Sequence, residues 1–428
     1  MNKRKVVVTG LGMATSLGLD VERSWQKALA GTSGIKKITY PETVKSAVQA
    51  VGAVSREDWD RIKDTFKKEG AAEGERRTLF ALWAADAALG DAGFRPDPDS
   101  RHRCGVALAA GLGINRPEDI ITWITNDKTF DYRTFGKEYA QLHRESIARN
   151  NSNRPASLIA NNYNFHGYNS TITTACASAS QAIGIAFRTI RRGDADVMIT
   201  GGADSMINPV GLVFFVLLGA AATSRENPEE VCRPFDRKRS GLVMGEGAGI
   251  ALLEEESHAL KRGADIYAEV AGYGSTMDAH QVTAPHPKGV GAEGSMRSAL
   301  SDADMAEEDI DYINAHGTST KLNDAAETLA IKNVFRDHAM SMCINSSKSL
   351  IGHLLAASGG PEFIFTSLAV KRDEIHPTIN LSNRDPKCDL DYVPDMKREG
   401  TVRAAISNSF GFGGQNASLV LKKYVRES

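Results

Sequence analysis

NSTITTACASASQAIGIAFRTIRRGDADVMITGG, residues 169–202, reads as strand, turn, helix and strand. The run STITTA at 170–175 is rich in β-branched residues, which suit the pleated surface of a sheet. Small residues then open a helical pattern that turns Ile183, Ile185, Ala186 and Ile190 toward a core. ADVMITGG at 195–202 restores the strand pattern. Cys176 sits at the first strand-to-helix turn, where free backbone N–H groups and the positive end of the helix dipole favour a thiolate below the usual cysteine pKa of about 8.5. The same N–H groups suit a developing oxyanion.

Outward from this unit the alternation continues. KVVVTG (5–10), GVALAAG (105–111), GIALLEE (249–255), YAEVAGYG (267–274), CINSSK (343–348) and ASLVLKK (417–423) are strand-like and separated by helical patterns. Such alternation predicts an α/β fold with parallel sheets covered by helices. The charged run EESHALKRGAD at 255–265 precedes a restart of the pattern, which suggests two similar halves, 1–260 and 261–428. Residues 56–80 and 115–155 break the rhythm with polar sequence and isolated aromatics, the habit of lids and partner surfaces.

Composition bounds the function. The 428 residues carry 51 bases and 53 acids, a net charge of −2 that offers no nucleic-acid footprint. MNKRKVVVTGLGMATSLG imitates a secretory signal, but Thr9, Gly10 and Gly12 break its apolar run. PVGLVFFVLLGAAA at 209–222 falls short of the roughly 20 residues a bilayer crossing needs and reads as a buried core helix. Neither segment points to a membrane. Cys104, Cys176, Cys232, Cys343 and Cys388 are scattered and odd in number, which argues against disulfides and zinc and for a reducing cytoplasm. GLGMAT at 10–15 lacks the third glycine of a dinucleotide fingerprint and reads as a tight turn, and GEGAG at 245–249 as a close-packed turn. His280, His286 and His376 adjoin loops and prolines without evident partners and read as surface or structural residues.

Two further stretches bring histidines to the cysteine. In YINAHGTSTKLNDAAE a short strand delivers His316 into a turn before a helix capped by Asn323 or Asp324, the end of a strand where ligands bind in open α/β sheets. In INSSKSLIGHLLAASGGPEFIF, Lys348 precedes His353 by five residues and Glu362 follows it by nine. A cysteine at a turn with histidines for partners fits covalent catalysis.

TACASAS around Cys176, NAHGTST around His316, SSKSLIGHLLAASG around Lys348 and His353, and the terminal NSFGFGGQN resemble the elongating β-ketoacyl synthases, the Cys-His-His condensing enzymes of fatty-acid and polyketide assembly. KVVVTGLGMATSLG, ADVMITGGADSMINP and RPFDRKRSGLVMGEGAGIALLE extend the likeness over nearly the whole chain. The resemblance implies a thiolase-like fold, two pseudo-duplicated halves in a five-layer αβαβα arrangement, working as a homodimer or beside a related subunit. It implies no bound cofactor or metal: the phosphopantetheine arm of an acyl carrier protein brings the substrate. Cys176 would hold the acyl chain, and His316 and His353 would stabilise the enolate of the decarboxylated malonyl unit, oriented by Lys348 and Glu362. The N–H groups of Cys176 and Phe412 would form the oxyanion hole, Thr318 and Thr320 would grip the arm, and Phe410, Phe412 and Ile114 would shape the acyl pocket.

The chain also departs from that pattern. Gly219 stands near a place where relatives commonly carry a carrier-docking arginine, GLGINRP at 111–117 replaces a glycine-rich stretch, Gln281 replaces a histidine, and SGL at 240–242 replaces an acidic DGF. These changes leave the chemistry and put the substrate in question. Three other readings share the fold: a thiolase, which would need a second cysteine in the C-terminal loop; a starter synthase, against which His353 argues; and a non-catalytic chain-length-factor partner, which would lose Cys176.

Overall fold

The computed structural model describes residues 4–38, 47–67, 75–113, 121–142 and 150–426. Ten strands form one sheet: β1 (Val6–Ala14), β2 (Cys104–Ala110), β3 (Asn169–Ile172), β4 (Val197–Asp204), β5 (Gly247–Glu255), β6 (Ala268–Met277), β7 (Tyr312–Asn314), β8 (Cys343–Asn345), β9 (Ala404–Phe410) and β10 (Gln415–Lys422). Their order, β8-β7-β9-β10-β6-β1-β5-β4-β2-β3, is the same five-strand pattern written twice outward from the centre. The halves join where Val6–Val8 pairs with Ala268–Val270.

Helices α1 (Arg76–Asp91), α2 (Ser178–Arg191), α4 (Val290–Ala303), α5 (Lys321–Phe335) and α6 (Gly359–Arg372) build the layers, and α3 (Pro209–Leu217) lies outside them. α1 covers β1 and β5 on the outside, and α4 covers β6 and β10. α2 and α6 lie between the half-sheets and touch both. The result is the α/β, five-layer arrangement of a thiolase-like fold.

The expectation of purely parallel sheets is corrected. β2, β3 and β4 are mutually parallel, as are β7, β8 and β9, but β5 and β10 run antiparallel to both neighbours. The return to β5 uses a long excursion over 205–246, and β10 follows β9 directly, so neither connection is the helical crossover that a parallel pair requires.

Two other readings also change. All of GLGMAT but Thr15 lies inside β1, not in a turn, and its glycines serve packing. A Cβ on Gly10 or Gly12 would stand 2.2 or 1.9 Å from the carbonyl oxygens of Ala88 or Ala84 on α1. Gly272 and Gly274 do the same for α4, at 2.3 and 2.0 Å from the oxygens of Ala299 and Ser295. The apolar run at 209–222 is no core helix: Gly211 and Leu212 are the buried residues of α3, while Val213, Phe214 and Leu217 are half or more exposed. Asn208 caps it and Gly219, at φ +66°, ends it, so a helix apolar all round lies on the surface. His376 is fully buried, its ring nitrogens bonded to Ser347, Asn345 and Pro377, and the rings of His280 and His286 lie 5.1 Å apart.

Among the described residues no helix is long and apolar enough to cross a membrane. Gly274→Val should destabilise the protein by at least about 2 kcal/mol, because a rigid backbone rather than a flexible side chain meets the added carbon. Urea unfolding of the variant reads this directly, and an unchanged midpoint would contradict it.

Candidate functional site

Cys176 follows Ala175, which is held at φ +48°, a left-handed conformation costly for a residue with a Cβ. The turn is stapled. The Thr174 N–H donates to Ser178 Oγ at 2.7 Å, Ser178 Oγ donates to the Ala175 carbonyl at 2.6 Å, and the Thr174 hydroxyl donates to Gln181 at 2.7 Å. The thiol is 5% exposed. The Phe412 N–H reaches the sulfur, and Gly411 packs against the Cys176 and Ala177 N–H groups so closely that a Cβ there would stand 3.1 Å from both nitrogens. Burial pushes the thiol up to about 11, against the Phe412 N–H and the Lys348 ammonium. The expected low-pKa thiolate is therefore corrected: a helix N-terminus supplies only about 0.3–1 kcal/mol, less than desolvation removes.

His316 emerges from β7 into a turn clamped by carboxylates of α5. Glu327 accepts from the His316 and Gly317 N–H groups, both at 2.8 Å, and Asp324 accepts from the Thr318 N–H at 3.0 Å. Burial pushes Glu327 up to about 7 despite these two bonds. The N-cap of α5 is Thr320, whose Oγ1 accepts from the Asn323 N–H, and not Asn323 or Asp324. Asp324 faces inward instead, because its carboxylate closes the turn.

Both imidazoles have their Nδ1 occupied from behind. The Lys348 Nζ lies 3.3 Å from His316 Nδ1 and 2.5 Å from Glu362 Oε1, all three side chains buried. An ammonium can only donate, so the network assigns the His316 proton to Nε2. His353 Nδ1 accepts from the Leu355 N–H at 3.0 Å and lies 2.8 Å from Ser358 Oγ, which assigns its proton to Nε2 as well. The next N–H, of Ala356, donates to the buried Asp204 carboxylate at 3.0 Å and anchors the turn. Burial, reinforced by the nearby Lys348 ammonium, holds both histidines well below their ordinary range, so they are neutral at pH 7. Their rings stand 5.3 Å apart and nearly perpendicular.

One donor atom from each of Cys176, His316 and His353 lies within 4.8 Å of the others. That spacing could suit a metal ion, but Nε2–H groups beside a buried ammonium present positive ends. The arrangement fits a developing anion better than a cation.

A pocket of about 350 Å³ opens onto this point. Cys176, His316, His353, Thr318, Thr320, Phe410 and Phe412 line it, with Gly219 at its rim, while Lys348 and Glu362 stand behind the imidazoles. Ile114 lies outside the described residues. Gln281 is exposed and does not line the pocket, whereas Ser240 does. Cys388 packs in the core beside Phe235 and Tyr392, not in the pocket. Ser178, Asp204 and Glu327 were not predicted, and Asp324 only as a helix cap: they act by holding backbone, and a lone polar residue carries no such signal in sequence.

The chain matches the family "Beta-ketoacyl synthase, N-terminal domain" over residues 3–259 and "Beta-ketoacyl synthase, C-terminal domain" over 267–382. It is 40% identical over 425 residues to 3-oxoacyl-[acyl-carrier-protein] synthase 2 of Synechocystis sp., covering 99% of both chains, and 39% identical over 423 residues to the protein of that name in Staphylococcus aureus, again covering 99% of each. Among solved structures, a type II polyketide-synthase acyl-carrier protein in complex with its ketosynthase aligns with TM-score 0.89 at 33% identity, covering 99% of this chain and 100% of that one. A β-ketoacyl synthase from Burkholderia phymatum aligns with TM-score 0.85 at 32% identity and the same coverage.

Burial also sets a pH dependence. His376 is depressed from 6.5 to about 4, so below pH 6.5 the unfolded chain binds a proton that the folded chain refuses, and stability is lost as pH falls through that window. At pH 5 this amounts to about 2 kcal/mol for such a group. His376→Gln should therefore flatten the decline in denaturant-measured stability between pH 7 and pH 5, and an unchanged slope would contradict the assignment.

Proposed function

The chain belongs to the beta-ketoacyl synthase family, and from that membership and the pocket we propose that it elongates acyl chains by decarboxylative Claisen condensation, with Cys176 as nucleophile. The observation that carries the reading is the convergence of a buried thiol and two Nε2–H donors on one point at the base of an open pocket. An acyl thioester enters, Cys176 Sγ attacks its carbonyl, and the carrier sulfur leaves with the cysteine's proton. The N–H groups of Cys176 and Phe412 receive the tetrahedral oxyanion. Malonyl-carrier follows. His316 and His353 donate to its thioester carbonyl, so that loss of carbon dioxide leaves an enolate whose charge they stabilise. The enolate carbon attacks the acyl-cysteine carbonyl; a carbon–carbon bond forms, the carbon–sulfur bond breaks, and the thiolate regains a proton from solvent. The product is a β-ketoacyl-carrier. Lys348 and Glu362 orient the histidines, and Thr318 and Thr320 lie along the approach of the phosphopantetheine arm.

Further parts of the reading rest on the architecture. The twice-written strand order supports a division of the chain near residue 260. The protein acts as a homodimer, or beside a related subunit of the kind named for the ishigamide ketosynthase/chain length factor, a solved structure with TM-score 0.83 at 33% identity. β3 supports this: it ends the sheet with one side unpaired among the described residues, next to the partly exposed Tyr168, and an open edge invites a second strand.

Incubating the protein with a panel of acyl carriers and malonyl-carrier, and following intact mass and products, tests the mechanism. Cys176→Ala should abolish acylation. His353→Ala should leave acylation within a few-fold and slow condensation by about 10²–10³, the usual cost of a lost oxyanion donor. A protein that never acylates yet binds a competent homologue would be a structural partner instead.

A further inference from the structure

Asp204, the last residue of β4, is 3% exposed and stands where three pieces of the site meet. Its Oδ2 accepts from the Ala356 N–H at 3.0 Å and its Oδ1 from the Ser205 N–H at 2.8 Å. Gly111, just beyond β2, comes so close that a Cβ there would stand 2.2 Å from Oδ1 and 2.3 Å from Oδ2. The carbonyl of the same glycine accepts from the buried Arg77 of α1. Burial, with Glu246 adding to it, pushes Asp204 up to about 6 against the two N–H groups and the Arg77 guanidinium, so at pH 7 it is mostly ionised.

Ala356 matters because of what precedes it. Leu355 is held at φ +52°, a backbone region that a side chain resists, and its N–H donates to His353 Nδ1 at 3.0 Å. The backbone of His353 is fixed separately: its N–H donates to the Val243 carbonyl at 2.7 Å, and its carbonyl accepts from the Gly245 N–H at 2.8 Å. The direction of the ring depends on the strained turn over 354–356, and Asp204 fastens the far end of that turn. The same carboxylate reaches the nucleophile through space. Burial raises the Cys176 thiol first of all; the Asp204 and Glu362 charges add to it, against the Phe412 N–H and Lys348.

We propose that Asp204 is a positioning residue that acts on the two half-reactions in opposite senses: by holding the Ala356 N–H it keeps His353 aimed for the malonyl step, while its charge opposes the loading of Cys176. The inference rests on the condensation reading above and adds a residue that touches no substrate. In the malonyl step the bond to the leaving carboxylate breaks and its electron pair passes into the enolate, whose oxygen the His353 Nε2–H must meet. A loosened turn lets that donor swing away. In the loading step Cys176 must give up its proton, which a nearby anion disfavours. Two N–H groups meet two oxygens at Asp204, a match that a carboxylate makes and a neutral amide, with one acceptor, does not.

The test is Asp204→Asn, read in single turnover so that acylation of Cys176 and condensation of the acylated enzyme with malonyl-carrier are timed apart. Condensation should slow at least about tenfold, short of the cost of losing the donor outright. Acylation should not slow, and the pH profile of Cys176 alkylation by iodoacetamide should move to lower pH. Gly111→Ala separates position from charge: its methyl pushes the flexible end of Asp204 off the Ala356 N–H and leaves the charge nearby. In that variant condensation should slow while the alkylation profile stays where it is. Condensation within twofold of the unaltered protein in Asp204→Asn, or acylation slowed as much as condensation in either variant, would overturn the proposal. If Asp204→Asn does not fold, Gly111→Ala decides by the same two criteria. If the unaltered protein neither acylates nor condenses, the condensation reading itself fails.

Discussion

Lys348 carries a full charge in the interior, 0% exposed and pressed between Glu362 and His316. Isolated, such a charge would be prohibitive; paired, it is tolerated, and removing one partner typically costs about 3–5 kcal/mol. Much of the site follows from where this ammonium stands. It donates to His316 and so sets that ring's tautomer. It adds to the burial that holds both histidines below their ordinary range, and it pulls against the burial of Cys176. Glu362 is pushed up to about 7 by burial and restrained by the same ammonium.

The ion pair belongs to the C-terminal half and the thiol to the N-terminal half, so their meeting depends on how closely the two central helices approach. Ser180 on α2 bonds Ser409 on β9 at 2.8 Å, and a Cβ on Gly359, at the start of α6, would stand 2.3 Å from Ser180 Oγ. Gly249 lets β5 touch the backbone of Pro361, where a Cβ would stand 2.2 Å from its nitrogen. These contacts lock the first turns of α2 and α6 together. Cys176 precedes one of them and His353 the other, so small residues at the seam set the distance between thiol and imidazole.

Much of this was legible in the sequence because the relevant signals are local. β-branched runs between glycines marked most strands, and the motifs around Cys176, His316 and His353 marked the pocket. β9 escaped because AAISNSF buries Ser407, Asn408 and Ser409 completely, and polar residues satisfied inside a sheet look like a loop in sequence. α3 misled for the opposite reason: a helix apolar on every side carries no record of which side faces out.

The sequence by itself determined the alternating elements, the duplicated plan and the identity of the residues that meet in the pocket, since each is written in short-range pattern. Tertiary structure alone decided the antiparallel strands, the surface position of α3, the protonated state of the Cys176 thiol and the tautomers of both histidines. Those depend on burial and on partners far along the chain: Lys348 acts on His316 across 32 residues, and Asp204 holds the His353 turn across 152. Desolvation and long-range hydrogen bonds exist only once the chain has closed around them.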